Sequence, residues 1–153
     1  GTSGINGLRG TSGTTGTSGT SGTSGANGTS GTSGTYRIIE VRLVENVISV
    51  ATGTTISGDF RVPTATTVTR VGAYVDTAGT TGSTVIDINE GGSTILSTNI
   101  SIETDEKSSL DAATQPVISD SAIGADSILT FDVDSISTTA PKGLTVWLEV
   151  TIP

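Results

Sequence analysis

Residues 1–36 read GTSGINGLRGTSGTTGTSGTSGTSGANGTSGTSGTY, with glycine at Gly1, Gly4, Gly7, Gly10, Gly13, Gly16, Gly19, Gly22, Gly25, Gly28, Gly31 and Gly34. Twelve triplets run without interruption, and only nine of the 21 glycines fall in the rest of the 153-residue chain. A strict Gly-X-Y period of this length is the pattern of a collagen-type triple helix. Three extended chains wound about one line leave room there only for a hydrogen atom. A flexible Gly/Ser linker has no use for that phase and drifts out of it. All twelve glycines are therefore expected on the axis of a three-stranded stalk, residues 1–35. At about 3 Å per residue such a rod would reach on the order of 100 Å.

The stalk lacks the usual stiffener. None of Pro63, Pro116, Pro141 and Pro153 lies in the repeat, so nothing there pre-sets φ. Ordering each residue costs about 1–2 kcal/mol of backbone entropy, which makes a proline-free rod marginal alone. The following domain is thus expected to hold three chains together and set their register. The Thr and Ser hydroxyls between the glycines can hydrate the rod or carry O-linked sugar. Asn27-Gly28-Thr29 and Asn99-Ile100-Ser101 match the N-glycosylation sequon, a three-residue signal of low specificity. The chain opens inside a repeat with no initiator Met, which leads to the expectation of a processed product or fragment with a further segment before residue 1.

Composition removes several classes of function. Seven Lys+Arg against 15 Asp+Glu give a net charge of −8, and phosphate would be repelled, so no nucleic-acid partner is expected. The absence of Cys and His excludes disulfides, thiol nucleophiles, zinc-finger ligation and histidine general bases. Serines abound, yet nothing can activate one in a Ser-His-Asp arrangement. No apolar run approaches the 18 or more residues of a membrane span. A non-enzymatic role is expected, with no catalytic residue and no cofactor assigned.

From Tyr36 the composition changes abruptly. Residues 36–153 hold all 15 acids and six of the seven basic residues. Runs rich in Val, Ile and Thr, bounded by Gly, Pro, Asn or Asp, predict strands over 37–51, 58–62, 67–76, 83–89, 94–97, 99–103, 115–119, 127–134 and 144–152. Alternation is clearest in Val85–Asn89, Ile128–Asp134 and Val146–Val150, where one face would enter a core. Asn89-Glu90-Gly91-Gly92 reads as a hairpin connection, and Ala140-Pro141-Lys142-Gly143 as a β-turn. No helical stripe is present. The expectation is an all-β protein: a collagen-like triple-helical stalk followed by a trimeric β-sandwich head, most simply jelly-roll-like.

Two sets of residues stand out within the head. The segment Ile38–Val50 is apolar on nearly both faces, too greasy for the free edge of a monomer. It directly follows the repeat, so Ile39, Val41 and Leu43, with Trp147 of the last strand, are the candidate trimer contacts; a strand buried between sheet layers is the alternative. The second set is Asp87, Asp132 and Asp134, paired on their strands at spacing two with Asn89 beside them. Were those strands adjacent, their oxygens could converge on Ca²⁺; a solvated acidic face explains them as simply. Paired carboxylates could also hydrolyse a glycosidic bond, but no substrate cleft is indicated. The loops Asp76–Ser83, Glu103–Ala113 and Ser135–Lys142 are the expected contact surfaces, since binding usually falls on loops carried by a rigid scaffold.

Residues Val71–Leu96, Leu129–Asp134 and Lys142–Val150 form a pattern of strands and turns that resembles the small β domains of bacteriophage virion fibres and appendages. The Gly-Thr-rich triplets with a β head are also similar to spore-surface collagen-like glycoproteins, from which this chain departs in having no Pro in its triplets. The resemblance implies a homotrimeric structural part of a virion, attached through its N-terminal side to a larger particle and facing a host-surface glycan or protein. That places it on a virion surface or otherwise outside the cell. A cellular extracellular filament or adhesin, and a carbohydrate- or ice-binding module using the threonine rows, are the other expectations.

Overall fold

A computed structural model of the chain describes residues 34–153, and everything structural below concerns these. Gly1 to Gly31, expected on a three-fold axis, lie outside them. The described residues contain strands, turns and bends and no helix. In chain order the strands are β1 (Thr35–Ser49), β2 (Phe60–Val62), β3 (Thr66–Thr77), β4 (Thr84–Glu90), β5 (Ser93–Thr94), β6 (Leu96–Thr98), β7 (Ile100–Ile102), β8 (Val117–Ile118), β9 (Ala122–Ile123), β10 (Ser127–Ser135) and β11 (Lys142–Ile152). β1 begins inside the last triplet: Thr35 lies opposite Ile152 and Tyr36 opposite Thr151. Gly34 borders the same strand, so that a Cβ on it would stand 3.4 Å from that of Thr151.

Two antiparallel sheets share one core. The first has the order β1-β11-β3-β9, and the second β2-β10-β4-β5, with β7 also paired to β4; β6 and β8 form a separate ribbon. Val71, Val75, Leu144, Val146 and Leu148 of the first sheet and Ile86, Ile88, Leu129, Phe131 and Val133 of the second belong to a single buried cluster. Many of these residues sit at alternate positions because side chains of a strand point to opposite faces. Phe131 is the largest fully buried side chain. At Glu90–Ser93 the two-residue hairpin needs positive φ twice, and Gly91 (57°) and Gly92 (87°) supply it.

One expected turn is different. Residues 140 and 141 lead into β11 without a turn, and the Pro141 carbonyl accepts from Val50 N at 2.8 Å. Gly143 lies within the strand at φ 62°. The cause is in β1, which runs five residues from Val44 to Ser49 while β11 runs two from Leu144 to Lys142. Asn46 in this excursion approaches Gly143 so closely that a Cβ there would be 3.0 Å from its Cα and would collide with the Asp76 carboxylate.

Candidate functional site

The registers collect the connections at two ends of the sandwich. Ser49 lies opposite Lys142, and Lys142 opposite Thr77; Thr84 lies opposite Ile102, and Val85 opposite Ser135. The β1–β2, β3–β4, β7–β8 and β10–β11 connections therefore share one end. Thr35 and Ile152 pair at the other.

The loops at the first end are tied to one another by main-chain bonds. Asp105 N donates to Gly79 O (2.9 Å), Thr138 N to Thr81 O (2.8 Å), and Thr80 and Thr139 exchange N–H···O bonds at 3.2 Å in both directions. Side-chain hydroxyls complete the set: Thr104 Oγ1 and Ser137 Oγ both donate to Gly82 O, at 3.0 and 3.2 Å. Residues 79–82, 104–105 and 137–139 of the loops Asp76–Ser83, Glu103–Ala113 and Ser135–Lys142 are thus parts of one surface, whereas Lys107 and Ser109 bond to Val75 and Ala73 of β3. Two of the five non-glycine residues with positive φ among the described residues belong to this end, Thr81 (59°) and Asp105 (62°), while Thr55 (53°) and Ser57 (69°) lie where the β1–β2 connection runs alongside β10 and Ile56 N donates to Phe131 O. A β-branched residue in the left-handed region is an outlier that surrounding structure must hold in place. At Thr81 and Asp105 the cross-loop hydrogen bonds do so.

The three aspartates come together only in part. Asp132 stands opposite Asp87 in the β10–β4 ladder, with Asn89 opposite Thr130. Both oxygens of Asp132, and one each of Asp87 and Asp134, accept from protein donors. Asp87 Oδ1 accepts from Ile88 N (2.8 Å) and Thr94 Oγ1 (2.6 Å). Asp132 accepts from Thr55 N (2.7 Å) and Asn89 Nδ2 (3.1 Å), and Asp134 from Asn99 Nδ2 (2.9 Å). Among the described residues no group of three or more acidic side chains is placed to hold a metal ion. The arrangement anchors the β1–β2 connection and the second sequon asparagine to the sheet.

Trp147 and the other three interface candidates lie on opposite sides of the first sheet. Leu43 is buried in the core, with Ile39 and Val41 packed against it. The outward neighbours on β1 are Tyr36 and Ile38, each 70% exposed, in register with Thr151 and Glu149 of β11. Trp147, half-buried, lies opposite Glu40 on one side and Gly72 on the other. Its indole covers Gly72: a Cβ there would be 2.9 Å from Nε1 and closer still to ring carbons. The Arg70 guanidinium sits 5.5 Å from the ring centroid, within cation–π range, and 3.4 Å from Glu149 Oε2. Exposed Leu110 closes the patch, lining a shallow trough with Ile38, Tyr74 and Trp147. Trp147 stands out in the sequence as the only tryptophan. Nothing there signals Gly72 as its partner, or Leu110, which reaches this face from a loop.

Comparison with protein-family models, curated proteins and solved structures finds no match.

Proposed function

We propose that the chain is a homotrimeric structural fibre or spike protein, in which a collagen-like rod displays a jelly-roll head at a distance from the particle or filament that carries it. The unbroken glycine phase carries this reading, because three chains sharing one axis admit only glycine at every third position. The order β1-β11-β3-β9 facing β2-β10-β4-β5, with β7 also beside β4, supports the jelly roll, in which successive strands cross between two sheets. The chain enters the head at Thr35, at the end opposite the cross-bonded loops, so contact with a host surface falls to those loops. Three copies of a weak site on one rod then gain from effective concentration. A virion surface is the setting, on the resemblance of the strand and turn pattern; a cellular extracellular filament built from the same parts is the second reading.

The native mass tests the assembly. Three chains of 15.2 kDa give about 46 kDa by sedimentation equilibrium, and a single-chain mass at all concentrations refutes the reading. Gly19→Ala is expected to lower the rod's melting transition in circular dichroism while the head's transition stays in place. An unchanged rod transition contradicts the shared axis.

A further inference from the structure

β1 lies at the open edge of its sheet and carries apolar side chains on both sides of that edge. Outward are Tyr36 and Ile38, continuous with Trp147 and Leu110. On the other side, between β1 and the edge of the second sheet, is a cleft of about 180 Å³ lined by Arg37, Ile39, Phe60, Val62, Pro63 and Val150. At the far end of the same strand Val47 (78% exposed) and Ile48 (55%) project from the excursion. Isolated exposed apolar side chains need no explanation, but contiguous ones flanking a 15-residue edge strand mark a contact surface.

The chain itself says what covers it. The Gly-X-Y repeat runs directly into β1, so three chains sharing an axis bring three copies of β1 to one place. A three-fold contact is heterologous: each copy offers two different patches, one meeting the other on its neighbour. The two patches here flank a single strand, as a wedge closing a three-part ring requires. Resting on the trimeric reading above, we infer that Tyr36, Ile38 and Trp147 of one copy pack into the Phe60–Val62–Pro63 cleft of the next, with β1 nearest the axis and Val47 and Ile48 meeting their copies there. Arg37 at the cleft and Glu40 on the outer face supply opposite charges at the rim.

The test uses the full chain. Ile38→Glu and Pro63→Lys both change exposed side chains, so each head is expected to fold as the parent does. Each single variant should raise the dissociation constant of the trimer at least tenfold, on the order expected of a central contact, in a sedimentation-velocity dilution series. Trp147 is the chain's one tryptophan, and its quenching by acrylamide should increase in each variant even where the rod still holds three chains. The double variant Ile38→Glu/Pro63→Lys places a Glu of one copy against a Lys of the next and should recover most of both losses. A trimeric parent whose single variants dissociate and quench as it does overturns the surface assignment and leaves the trimer standing. Single-variant losses without recovery overturn the pairing of face with cleft. A monomeric parent overturns the inference together with the reading it rests on.

Discussion

Gly72→Ala should reverse the sign of its effect according to what stands opposite. A glycine inside a strand ordinarily costs about 0.5–1 kcal/mol relative to alanine, because it loses more backbone freedom on folding. At position 72 that gain is opposed by Trp147, whose ring occupies the space a methyl group needs. The methyl must displace the indole, and forcing extra volume into an occupied contact costs about 1–3 kcal/mol. The indole also leaves its position beneath Arg70, a contribution of about 0.5–1 kcal/mol at a partly exposed site. Steric displacement and the lost cation–π contact together outweigh the backbone gain, and Gly72→Ala is expected to destabilise the head by about 1–2 kcal/mol in urea unfolding at fixed protein concentration. With Trp147→Ala already in place the obstacle is gone, and the same change should stabilise by about 0.5–1 kcal/mol. The coupling energy from the double-mutant cycle is then on the order of 2 kcal/mol. Emission from the lone tryptophan should move to longer wavelength in the single variant as the ring enters water. Equal effects of Gly72→Ala in both backgrounds, with emission unchanged, would refute the stacking of Trp147 on Gly72.

Two further outcomes test the core and the loop end. Phe131→Ala removes the largest fully buried side chain and should cost about 3–5 kcal/mol in denaturant unfolding; a loss under about 1 kcal/mol, far below that range, would mean that the two sheets do not close over it. Thr81→Gly relieves a β-branched residue at φ 59°, worth about 1–2 kcal/mol, against about 0.5–1 kcal/mol of added unfolded-state freedom. A small rise in melting temperature is expected, and a clear fall would show that Thr81 is not held in the left-handed region.

The strands are legible wherever both sides of the alternation are chemically distinct. Leu129, Phe131 and Val133 against Thr130 and Asp132, and Val146, Leu148 and Val150 against Trp147 and Glu149, read as inward and outward faces and are placed so. Gly91-Gly92 is legible because two consecutive positive φ angles admit few other residues. β9 escapes a sequence reading, being two residues long and too short to show a period. Residues 140–143 mislead because Pro followed closely by Gly marks a turn in local chemistry. What surrounds Gly143 is the Asn46 backbone and the Asp76 carboxylate, far away in sequence. The acidic set conceals its donors for the same reason. Thr55 N, Asn89, Thr94 and Asn99 reach the three aspartates through the register of β4 and β10 and through connections that no spacing encodes.

The first strand carries the deeper lesson. Greasiness on both faces of 38–50 suits a central strand and a shared one equally, and β1 is placed at an edge with its second face uncovered. An edge of this length invites another strand to add to it, yet its backbone is poorly suited to accept one. Leu43 bulges where Arg42 and Val44 face consecutive residues of β11, and the ladder breaks again between Val44 and Ser49. Such interruptions, with Arg37, Glu40, Arg42 and Glu45 along the strand, are the means by which proteins block edge-to-edge growth. The hydrogen-bonding edge is thus guarded while the side-chain faces beside it stay apolar. That combination disfavours an open sheet extended from chain to chain and favours a closed contact made by side chains, which is the kind of association that the proposed trimer requires.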